Sequence, residues 1–356
     1  MDLGVEQTLP DLETDESALN VGINQWHELN ARYIEKHVLS DERLLNVLDQ
    51  CRNDHNDCTL WATIGECNKN KGYMHKNCRL ACRMCHHALY EYRCPYDGST
   101  EGNVWKKGDL DTMFERIVTD QHYQQYNPRI LSGPDMATDS SVATSDNDKN
   151  EQSPPWLIVL DDFLSAEEAQ KMIDLGHARG YERSVDVGER QEDGSFGSHI
   201  SDGRTSSNTW CLDECYNDAT TRTILARIEN VTGIPDAHSE YLQILQYQVG
   251  QFYGTHHDFT FHTGARAEGV RLLTFFLYLN DVEEGGETDF PTLGISVTPK
   301  TGRAVLWPSV LNDDPNSIDQ RTDHQALPVK KGVKYAVNAW IHMRDFKEAY
   351  GRDCVH

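Results

Sequence analysis

The stretch LQILQYQVGQFYGTHHD at residues 242–258 combines a strand pattern with a cluster of possible metal ligands. On an extended chain, side chains two positions apart point to the same face. His256 and Asp258 therefore share a face, and His257 points the other way. His262 has the same parity, but it lies roughly 13 Å beyond Asp258 at ~3.3 Å per residue, too far to share one ion. An H-x-D pair alone is weak evidence, because two polar residues in a surface loop give the same pattern.

A third ligand should come from another strand. The stretch DHQALPVKKGVKYAVNAWIHM provides His324, just before a hairpin-like turn. Two histidines and one carboxylate form the facial triad of non-haem iron(II) oxygenases, which leaves positions open for a chelating 2-oxo acid and for dioxygen. Because such a co-substrate also carries a distal carboxylate, a buried cation is expected nearby, and Lys334 on the following strand is the candidate. The competing interpretation of Lys334 is a surface lysine beside a turn.

The region around these residues has the pattern of a compact, strand-rich domain. WLIVLDDFLS predicts a strand, and Ser165 with Glu168 forms a capping box that opens a helix ending near Gly180. A second helix is expected over roughly 218–232. Short β-rich runs follow, separated by Gly, Pro, Asn and Asp: EYLQILQYQ, RLLTFFLYL, ISVTP, RAVLWP and KYAVNAWIHM. This order predicts an α+β domain, a jelly roll or β-sandwich with supporting helices.

Composition divides the chain into parts of different character. The expected parts are a partly helical acidic region (1–50), a cysteine-rich domain (51–86), a connecting helical region (87–131), a linker (132–155), the strand-rich domain (156–346) and a C-terminal tail (347–356). The linker is predicted to be disordered, because it is low in hydrophobic residues and rich in Ser, Asp and Pro.

The 356 residues carry a net charge of -24, which argues against nucleic acid as a partner, since phosphate binding needs a basic surface. The acidity fits cationic or neutral substrates, or it simply provides solubility. The longest apolar run, VRLLTFFLYL at 270–279, is shorter than a membrane helix requires. We therefore expect no membrane span in this chain.

Ten cysteines, six of them inside residues 51–85, are the strongest signal in the composition. Structural zinc sites use two closely spaced ligand pairs, and only the end of this cluster has a CxxC spacing. Six cysteines in a short stretch with almost no apolar core favour three disulfides over a metal site. Spacing alone does not choose among the fifteen pairings that six cysteines allow.

Disulfides indicate an oxidising compartment, so the secretory pathway and the endoplasmic reticulum lumen are the expected location. The first residues, MDLGVEQTLPDLETDE, show neither the basic nor the apolar segment of an export signal. A chain trimmed of its leader, or an incomplete N-terminus, would reconcile these two observations.

The stretch CRNDHNDCTLWATIGECNKNKGYMHKNCRLACRMC resembles the ShK toxin-like (ShKT) domain in its six cysteines, its WA..GEC core and its YM...C...C..C ending. The resemblance implies the pairs Cys51–Cys85, Cys58–Cys78 and Cys67–Cys82. Channel-blocking members place a lysine before the tyrosine, whereas this chain has Gly72 before Tyr73. The resemblance therefore implies an accessory role with an unknown partner.

Residues 156–344 resemble the catalytic domain of prolyl 4-hydroxylases, within the iron(II)/2-oxoglutarate dioxygenases. The matching motifs are GRTSSNTW, LQILQYQVGQFYGTHHD, RLLTFFLYLNDVEEGGETDFP, VTPKTGRAVLWP and DHQALPVKKGVKYAVNAWIH. The resemblance implies a double-stranded β-helix and hydroxylation of peptidyl proline to 4-hydroxyproline. It also implies Fe(II), 2-oxoglutarate as co-substrate, and ascorbate.

By this resemblance the iron ligands are His256, Asp258 and His324. The residues implied to bind the 2-oxoglutarate carboxylate are Lys334, Thr288 and Tyr247. Related halogenases lack the carboxylate ligand, so the presence of Asp258 implies hydroxylation.

The same resemblance implies a peptide groove formed by Tyr253, Arg271, Trp340, Arg204, Ser206, Trp210 and Glu240. Tyr253 and Trp340 would wall the proline ring, and Arg271 would bond the peptide near the reacting carbon. The stretch from Arg204 to Trp210 would belong to a mobile loop that closes over the peptide, with Glu240 along its path. Core packing is the alternative role for the aromatic residues. Tyr253 lies on the opposite strand face from His256, so it reaches the metal only if the chain bends around Gly254.

Four further cysteines allow three pairings: Cys94, Cys211, Cys215 and Cys354. A local Cys211–Cys215 bridge would stiffen the substrate loop. The sequon NVT makes Asn230 a possible glycosylation site near the predicted end of a helix.

Two other functions stay open. The same chemistry could act on a different residue or on a small molecule, although the groove residues argue against this. Alternatively, the chain could be a non-catalytic secreted ShKT interaction protein, against which the intact ligand set and Lys334 argue. The sequence shows no counterpart of the separate peptide-binding domain of animal collagen hydroxylases. Collagen is therefore not assured as the substrate, and hydroxyproline-rich wall or secreted proteins fit as well.

Overall fold

A computed structural model describes residues 3–7, 16–96, 98, 102–136, 153–191, 196–260, 263–264 and 266–355. The chain divides into two compact units. The cysteine-rich unit comprises Met1–Asp97, Val187–Ser198 and Glu348–His356, and the strand-rich unit comprises Gly98–Asp186 and His199–Lys347.

The α-helices of the described residues are α1 (Glu16–Tyr33), α2 (Glu42–Asn46), α3 (Cys58–Thr63), α4 (Glu66–Lys69), α5 (Lys71–Asn77), α6 (Tyr90–Arg93), α7 (Asp109–Thr119), α8 (Ala166–Arg179), α9 (Asp213–Asn217), α10 (Ala219–Thr232) and α11 (Phe346–Gly351). One π-helical turn (Ile34–Val38) follows α1. Among these described helices, none combines the length and the apolar character that a membrane crossing requires.

The strands are β1 (Pro128–Ser132), β2 (Leu157–Leu160), β3 (Glu182–Arg183), β4 (Asp186–Arg190), β5 (Phe196–His199), β6 (Ser207–Trp210), β7 (Gln243–Tyr247), β8 (Tyr253–His256), β9 (Arg271–Tyr278), β10 (Glu284–Gly285), β11 (Thr288–Phe290), β12 (Ile295–Val297), β13 (Ala304–Pro308), β14 (His324–Ala326), β15 (Val329–Lys331) and β16 (Lys334–His342). They include every strand that the β-rich runs predict.

Disulfides supplement two small apolar clusters in the cysteine-rich unit. One cluster surrounds Val38 and Leu80, and the other surrounds Ala62 and Met74. Three bridges join the pairs that the ShKT resemblance implies, Cys51–Cys85, Cys58–Cys78 and Cys67–Cys82, and this prediction is confirmed. Two more bridges join Cys94–Cys354 and Cys211–Cys215, so none of the ten cysteines is left for a metal.

Two antiparallel sheets build the strand-rich unit. The larger sheet has the order β1-β2-β13-β9-β16-β7-β6-β3, and the smaller sheet has the order β12-β11-β14-β8. An aromatic contact joins them, because Phe290 of β11 lies edge-on to Trp307 of β13 at 5.2 Å between ring centroids. This is the predicted double-stranded β-helix within an α+β architecture.

Because successive side chains point to opposite faces of the central strands, they pack into two separate apolar layers. On β9, Phe276 faces the layer between the sheets, whereas Phe275 faces the helices that cover the other side of the larger sheet. Met172 of α8 and Leu225 of α10 belong to the helical layer. Both faces of β9 are therefore buried, which explains its nearly continuous apolar sequence.

The two long helices of the strand-rich unit agree with their predicted bounds. The Ser165 hydroxyl accepts from the Glu168 backbone, the Glu168 carboxylate accepts in return from Ser165, and α8 ends at Gly180. The helix α10 ends before Gly233, whose φ of 74° suits glycine. Asn230 is exposed in the last turn of α10, and its glycosylation stays a prediction.

The strand-rich unit begins earlier than the composition indicates. β1 pairs with β2 at the edge of the larger sheet, although it precedes the expected linker. The ring of Phe114 in α7 stacks on Trp156 with centroids 5.4 Å apart. Both contacts are long-range, so composition could not reveal them. Most of the expected linker, residues 137–152, lies outside the described residues.

Removing the Cys58–Cys78 bridge is expected to destabilise the cysteine-rich unit. For Cys58→Ser/Cys78→Ser we expect the free energy of unfolding of this unit to fall by about 2–5 kcal/mol, because its apolar clusters are small. Urea unfolding followed by tryptophan fluorescence measures the change. The control is Cys211→Ser/Cys215→Ser, which opens a loop of 4 residues instead of 20 and should cost less. Unchanged unfolding of the first variant would contradict the expectation.

Candidate active site

An antiparallel pair of short strands brings the three predicted metal ligands together. β8 pairs with β14 so that His256 lies directly opposite His324. Asp258 follows β8, and its carboxylate oxygens lie 4.0 Å from Nε2 of His256 and 3.5 Å from Nε2 of His324. One ligand atom from each residue lies within 4.8 Å of the others. This spacing and donor set fit a facial iron(II) site.

Backbone carbonyls orient both imidazoles. Nδ1 of His256 lies 2.9 Å from the Gly254 oxygen, and Nδ1 of His324 lies 3.0 Å from the Thr322 oxygen. Because a carbonyl oxygen can only accept, each Nδ1 carries the proton. Each Nε2 therefore keeps its lone pair directed at the shared centre, as a metal ligand requires.

The charge states of the three residues also suit a metal. Burial lowers the pKa of His256 to about 3 and lowers the pKa of His324, so both rings are neutral. Burial raises the pKa of Asp258, but His324, His256 and Arg271 outweigh that effect and lower it to about 2. The Thr274 hydroxyl donates to Asp258 Oδ2 at 2.5 Å and holds the carboxylate. The centre thus offers two neutral imidazoles and one carboxylate.

His257 takes no part in this centre. Nε2 of His257 lies 2.9 Å from the Asp319 carbonyl oxygen and 3.1 Å from the Thr322 hydroxyl, away from the triad as its parity predicts. His262 lies outside the described residues.

A bulge in β8 brings Tyr253 beside the centre in spite of its parity. Opposite β14, residues 253–256 span the same length as residues 324–326, so β8 contains one extra residue. An extra residue interrupts the alternation of side chains and bends the strand. The Tyr253 ring consequently stacks on His256 with centroids 3.6 Å apart. The bend that the sequence requires near Gly254 is this bulge.

Lys334 is a fully buried cation whose ring neighbours Tyr247 and Phe276 line the cavity at the triad. It begins β16, directly opposite Tyr247 of β7. Its Nζ lies 5.1 to 5.4 Å from the ring centroids of Tyr247, Phe276 and Tyr278, and it has no hydrogen-bond partner among the described residues. Burial lowers the pKa of Lys334 to about 7. An unpartnered buried amine is costly, and a ligand carboxylate would satisfy it.

One cavity joins the triad to the residues predicted to bind a 2-oxo acid. Tyr247 and Thr288 line this cavity together with His256, Asp258 and His324. A hydroxyl pair organises its wall, since Thr288 Oγ1 lies 2.6 Å from the Tyr278 hydroxyl. Tyr247 and Thr288 therefore share one space with the triad, and the Lys334 amine lies 5.1 Å from the centre of the Tyr247 ring.

A buried ion pair lies next to Trp340. The Arg271 guanidinium carbon sits 3.9 Å from the centre of the Trp340 ring, and its Nε donates to Glu240 at 2.6 Å. Nε2 of His342 lies 2.8 Å from the same carboxylate oxygen. Glu240 is only 1% exposed, and its carboxylate holds Arg271 and His342. Its expected place along the peptide path stays a prediction.

The stretch expected to form a mobile loop is largely strand. Trp210 belongs to β6, which pairs in register with β7, and Ser206 precedes β6 with its hydroxyl 3.1 Å from the Ser184 hydroxyl. This correction follows from long-range pairing that local sequence does not reveal. The Arg204 guanidinium lies 4.6 Å from the Tyr253 ring centre, and the Trp210 and Trp340 rings lie 6.2 Å apart.

Sequence reasoning missed two kinds of contributor. Thr274 had a visible signal, because it is a small hydroxyl residue within the apolar run RLLTFFLYL. The carbonyls of Gly254 and Thr322 had none, because any residue supplies the same backbone oxygen. The Tyr253 hydroxyl also contacts Asp186 at 3.2 Å, which no motif indicates.

Comparison with known proteins agrees with this geometry. The family model of the 2OG-Fe(II) oxygenase superfamily matches residues 242–342, and the ShK domain-like model matches residues 50–85. Over 216 residues the chain is 35% identical to probable prolyl 4-hydroxylase 10 of Arabidopsis thaliana, covering 54% of this chain and 71% of the relative. The chain belongs to the prolyl 4-hydroxylase family. It is also 30% identical over 246 residues to prolyl 4-hydroxylase subunit alpha-2 of Gallus gallus, covering 67% of this chain.

The chain spans 71% of the length of the Arabidopsis thaliana relative but only 42% of the length of the Gallus gallus subunit. Among solved structures, the viral collagen prolyl hydroxylase of Paramecium Bursaria Chlorella virus-1, as its 2OG complex, is 27% identical. That match has a TM-score of 0.40 and covers 52% of this chain and 95% of the viral one.

Replacing Thr274 is expected to weaken metal binding without removing a ligand. For Thr274→Val we expect the affinity for Fe(II), measured by anaerobic titration, to fall about 10–100-fold, because the buried carboxylate loses the donor that orients it. Thr274→Ser keeps the hydroxyl and serves as the control. Equal affinity of the Val variant and the unaltered protein would show that the hydrogen bond does not position Asp258.

Proposed function

We propose that this chain hydroxylates peptidyl proline at C4, consuming dioxygen and 2-oxoglutarate and releasing succinate and carbon dioxide. The observation that carries the proposal is the triad together with the buried Lys334 amine, which has no hydrogen-bond partner among the described residues and lies against the Tyr247 ring at the triad's cavity. A metal centre alone would fit many reactions. A buried cation that would receive a carboxylate near such a centre favours 2-oxo acid chemistry.

The triad would hold Fe(II) through Nε2 of His256, Nε2 of His324 and a carboxylate oxygen of Asp258. When bound, the ion supplies the oxidising chemistry, and the protein supplies orientation and exclusion of water. The hydrogen bonds to both Nδ1 atoms and to the carboxylate support this role, because they fix all three donors before any ion arrives.

Lys334, Thr288 and Tyr247 would receive the distal carboxylate of 2-oxoglutarate. A dicarboxylate would give the Lys334 amine the acceptor that it lacks among the described residues. It would also restore the ordinary charge of the amine, because a nearby anion favours the protonated form. The hydroxyls of Thr288 and Tyr247 are further donors for the same carboxylate.

A peptide fits the remaining groups better than a small apolar molecule does. Trp340 Nε1 and Arg204 Nε are buried donors without a hydrogen-bond partner among the described residues. Backbone carbonyls of an extended peptide would satisfy such donors. The Tyr253 and Trp340 rings would wall the proline side chain, with Arg271 anchoring the peptide next to it.

Cofactor maintenance and location extend the same proposal. Ascorbate would reduce iron that becomes oxidised in unproductive turnovers. The five disulfides support an oxidising compartment, and we place the enzyme in the secretory pathway, in the endoplasmic reticulum lumen. The ShKT domain would serve as an accessory module for a partner still to be identified.

The activity test is incubation with proline-rich and Pro-Pro-Gly peptides, Fe(II), 2-oxoglutarate and ascorbate. We expect mass spectrometry to show the gain of one oxygen atom on proline, and we expect no gain with His256→Ala, which lacks a metal ligand. Succinate release without a modified peptide would favour another residue or a small molecule as substrate. Absence of both iron and 2-oxoglutarate binding would favour a non-catalytic ShKT interaction protein.

Glu240 is expected to act on peptide binding by positioning Arg271. For Glu240→Gln we expect kcat/KM for the peptide to fall about tenfold or more, mainly through KM, because the ion pair that holds Arg271 becomes a hydrogen bond to an uncharged acceptor. Binding of 2-oxoglutarate should not change. Glu268→Gln is the matched control, since Glu268 is equally buried at 2% exposure and its pKa is raised by burial. Equal losses in both variants would reduce the role of Glu240 to general stability.

A further inference from the structure

A second cavity lies within the cysteine-rich unit and has the opposite charge to the chain as a whole. Its volume is about 340 Å³. We call it the basic pocket, and its charged lining residues are Lys71, Lys76, Arg79, Arg93, Arg352 and Asp353. Five cationic side chains and one carboxylate thus line it, in a chain whose net charge is -24, and one of the cations, Arg352, is paired with Glu348 at 3.8 Å. Such a local reversal of charge favours an anion.

Two of the cations, Arg79 and Arg93, are buried in the wall of the basic pocket. Arg79 and Arg93 are each 8% exposed, so they are fixed groups and not mobile surface side chains. Arg93 Nε donates to the Asp353 carbonyl at 2.9 Å, and its Nη1 donates to the carbonyls of His87 and Ala88. These bonds hold a guanidinium at the pocket in one orientation.

The C-terminal tail closes one side of the basic pocket. Residues 351–353 line it, and the Cys94–Cys354 bridge fixes the tail beside them. Lys76 Nζ contacts the Asp353 carboxylate at 3.1 Å, so the one acidic group of the lining is already engaged. Lys71 has no ion pair among the described residues, and it is exposed at the rim.

Two histidines contribute ring nitrogens to the lining of the basic pocket. His75 and His87 line the basic pocket with their ring centroids 5.2 Å apart. Nε2 of His75 lies 3.0 Å from the Cys67 carbonyl and therefore carries its proton. Burial, His86, His75 and the two arginines lower the pKa of His87 to about 4, which reflects the same positive surroundings.

We infer that the basic pocket binds a tetrahedral oxyanion, a sulfate or phosphate group that is free or carried as an ester on a small molecule. Lys71 and Lys76 provide exposed donors, of which Lys76 also contacts Asp353, and the buried arginines provide the fixed positive field. The enclosed size suits one anionic group with a small body, whereas an acidic polypeptide would be repelled by the rest of the chain. Nothing in the proposed hydroxylation uses these residues, so the site is separate from the triad in function.

The test is equilibrium binding to the full chain at constant ionic strength. The probes are inorganic sulfate, inorganic phosphate and glucose 6-phosphate, with glucose as the uncharged control. Binding is followed by NMR of the histidine ring protons, and we expect saturable shifts of His75 and His87. Phosphate binding as tight as glucose 6-phosphate would identify a free anion as the ligand, and tighter binding of the sugar phosphate would identify an ester.

Matched charge variants decide whether the pocket itself is responsible. For Lys71→Gln/Lys76→Gln we expect binding about tenfold weaker, since two partly exposed charge contacts together contribute on that scale. Lys36→Gln/Lys69→Gln removes the same charge from exposed positions of the same unit and should leave binding unchanged. Urea unfolding checks that both variants are folded. Absence of saturable binding in the unaltered chain, or equal weakening in both variants, would overturn the proposal.

Discussion

The antiparallel pairing of β8 with β14 is the constraint on which the metal centre depends. It places His256 opposite His324 and leaves Asp258 just beyond the strand end. A slip of one residue in this register would turn His256 to the other face and separate the two imidazoles. The pairing is held in turn by the smaller sheet, in which β11 joins β14 and contributes Phe290 to the layer between the sheets.

The bulge in β8 determines on which side of the strand the Tyr253 side chain lies. A regular strand would carry His256 and Tyr253 on opposite faces, since they lie three residues apart. The extra residue turns both side chains to the same side, where their rings stack. The Tyr253 ring thereby covers one imidazole and reaches Asp186 with its hydroxyl. One irregularity in the sheet therefore shapes both the metal centre and the proposed substrate wall.

Much of the centre could be predicted from sequence because its residues follow local rules. His256 and Asp258 obey strand alternation, and His324 and Lys334 flank one turn. The features that local sequence does not reveal depend on distant partners. Glu240 pairs with His342 across a separation of 102 residues, and β6 pairs with β7 instead of forming a loop. The disulfide pairs of the ShKT domain were predicted correctly, but only through the resemblance, since spacing alone left them open.

Arg271 and Lys334 are two cations that differ in whether the protein itself supplies a partner for their charge. Arg271 has an internal counter-ion, because Glu240 accepts from its Nε. Burial raises the pKa of Glu240, yet Arg271 and His342 outweigh that effect and lower it to about 2, so the pair stays ionised. The guanidinium is therefore fixed over Trp340 whether or not a peptide is present.

Lys334 differs from Arg271, because its amine has no hydrogen-bond partner among the described residues. It lies among aromatic rings, and burial lowers its pKa to about 7 because its surroundings supply little countercharge. A protein that needed Lys334 only for packing would gain stability from an apolar residue in its place. The buried Lys334 amine, which lies against the Tyr247 ring at the triad's cavity, is explained if a ligand brings the carboxylate. Arg271 is thus held by an internal counter-ion, whereas the Lys334 amine has no hydrogen-bond partner among the described residues.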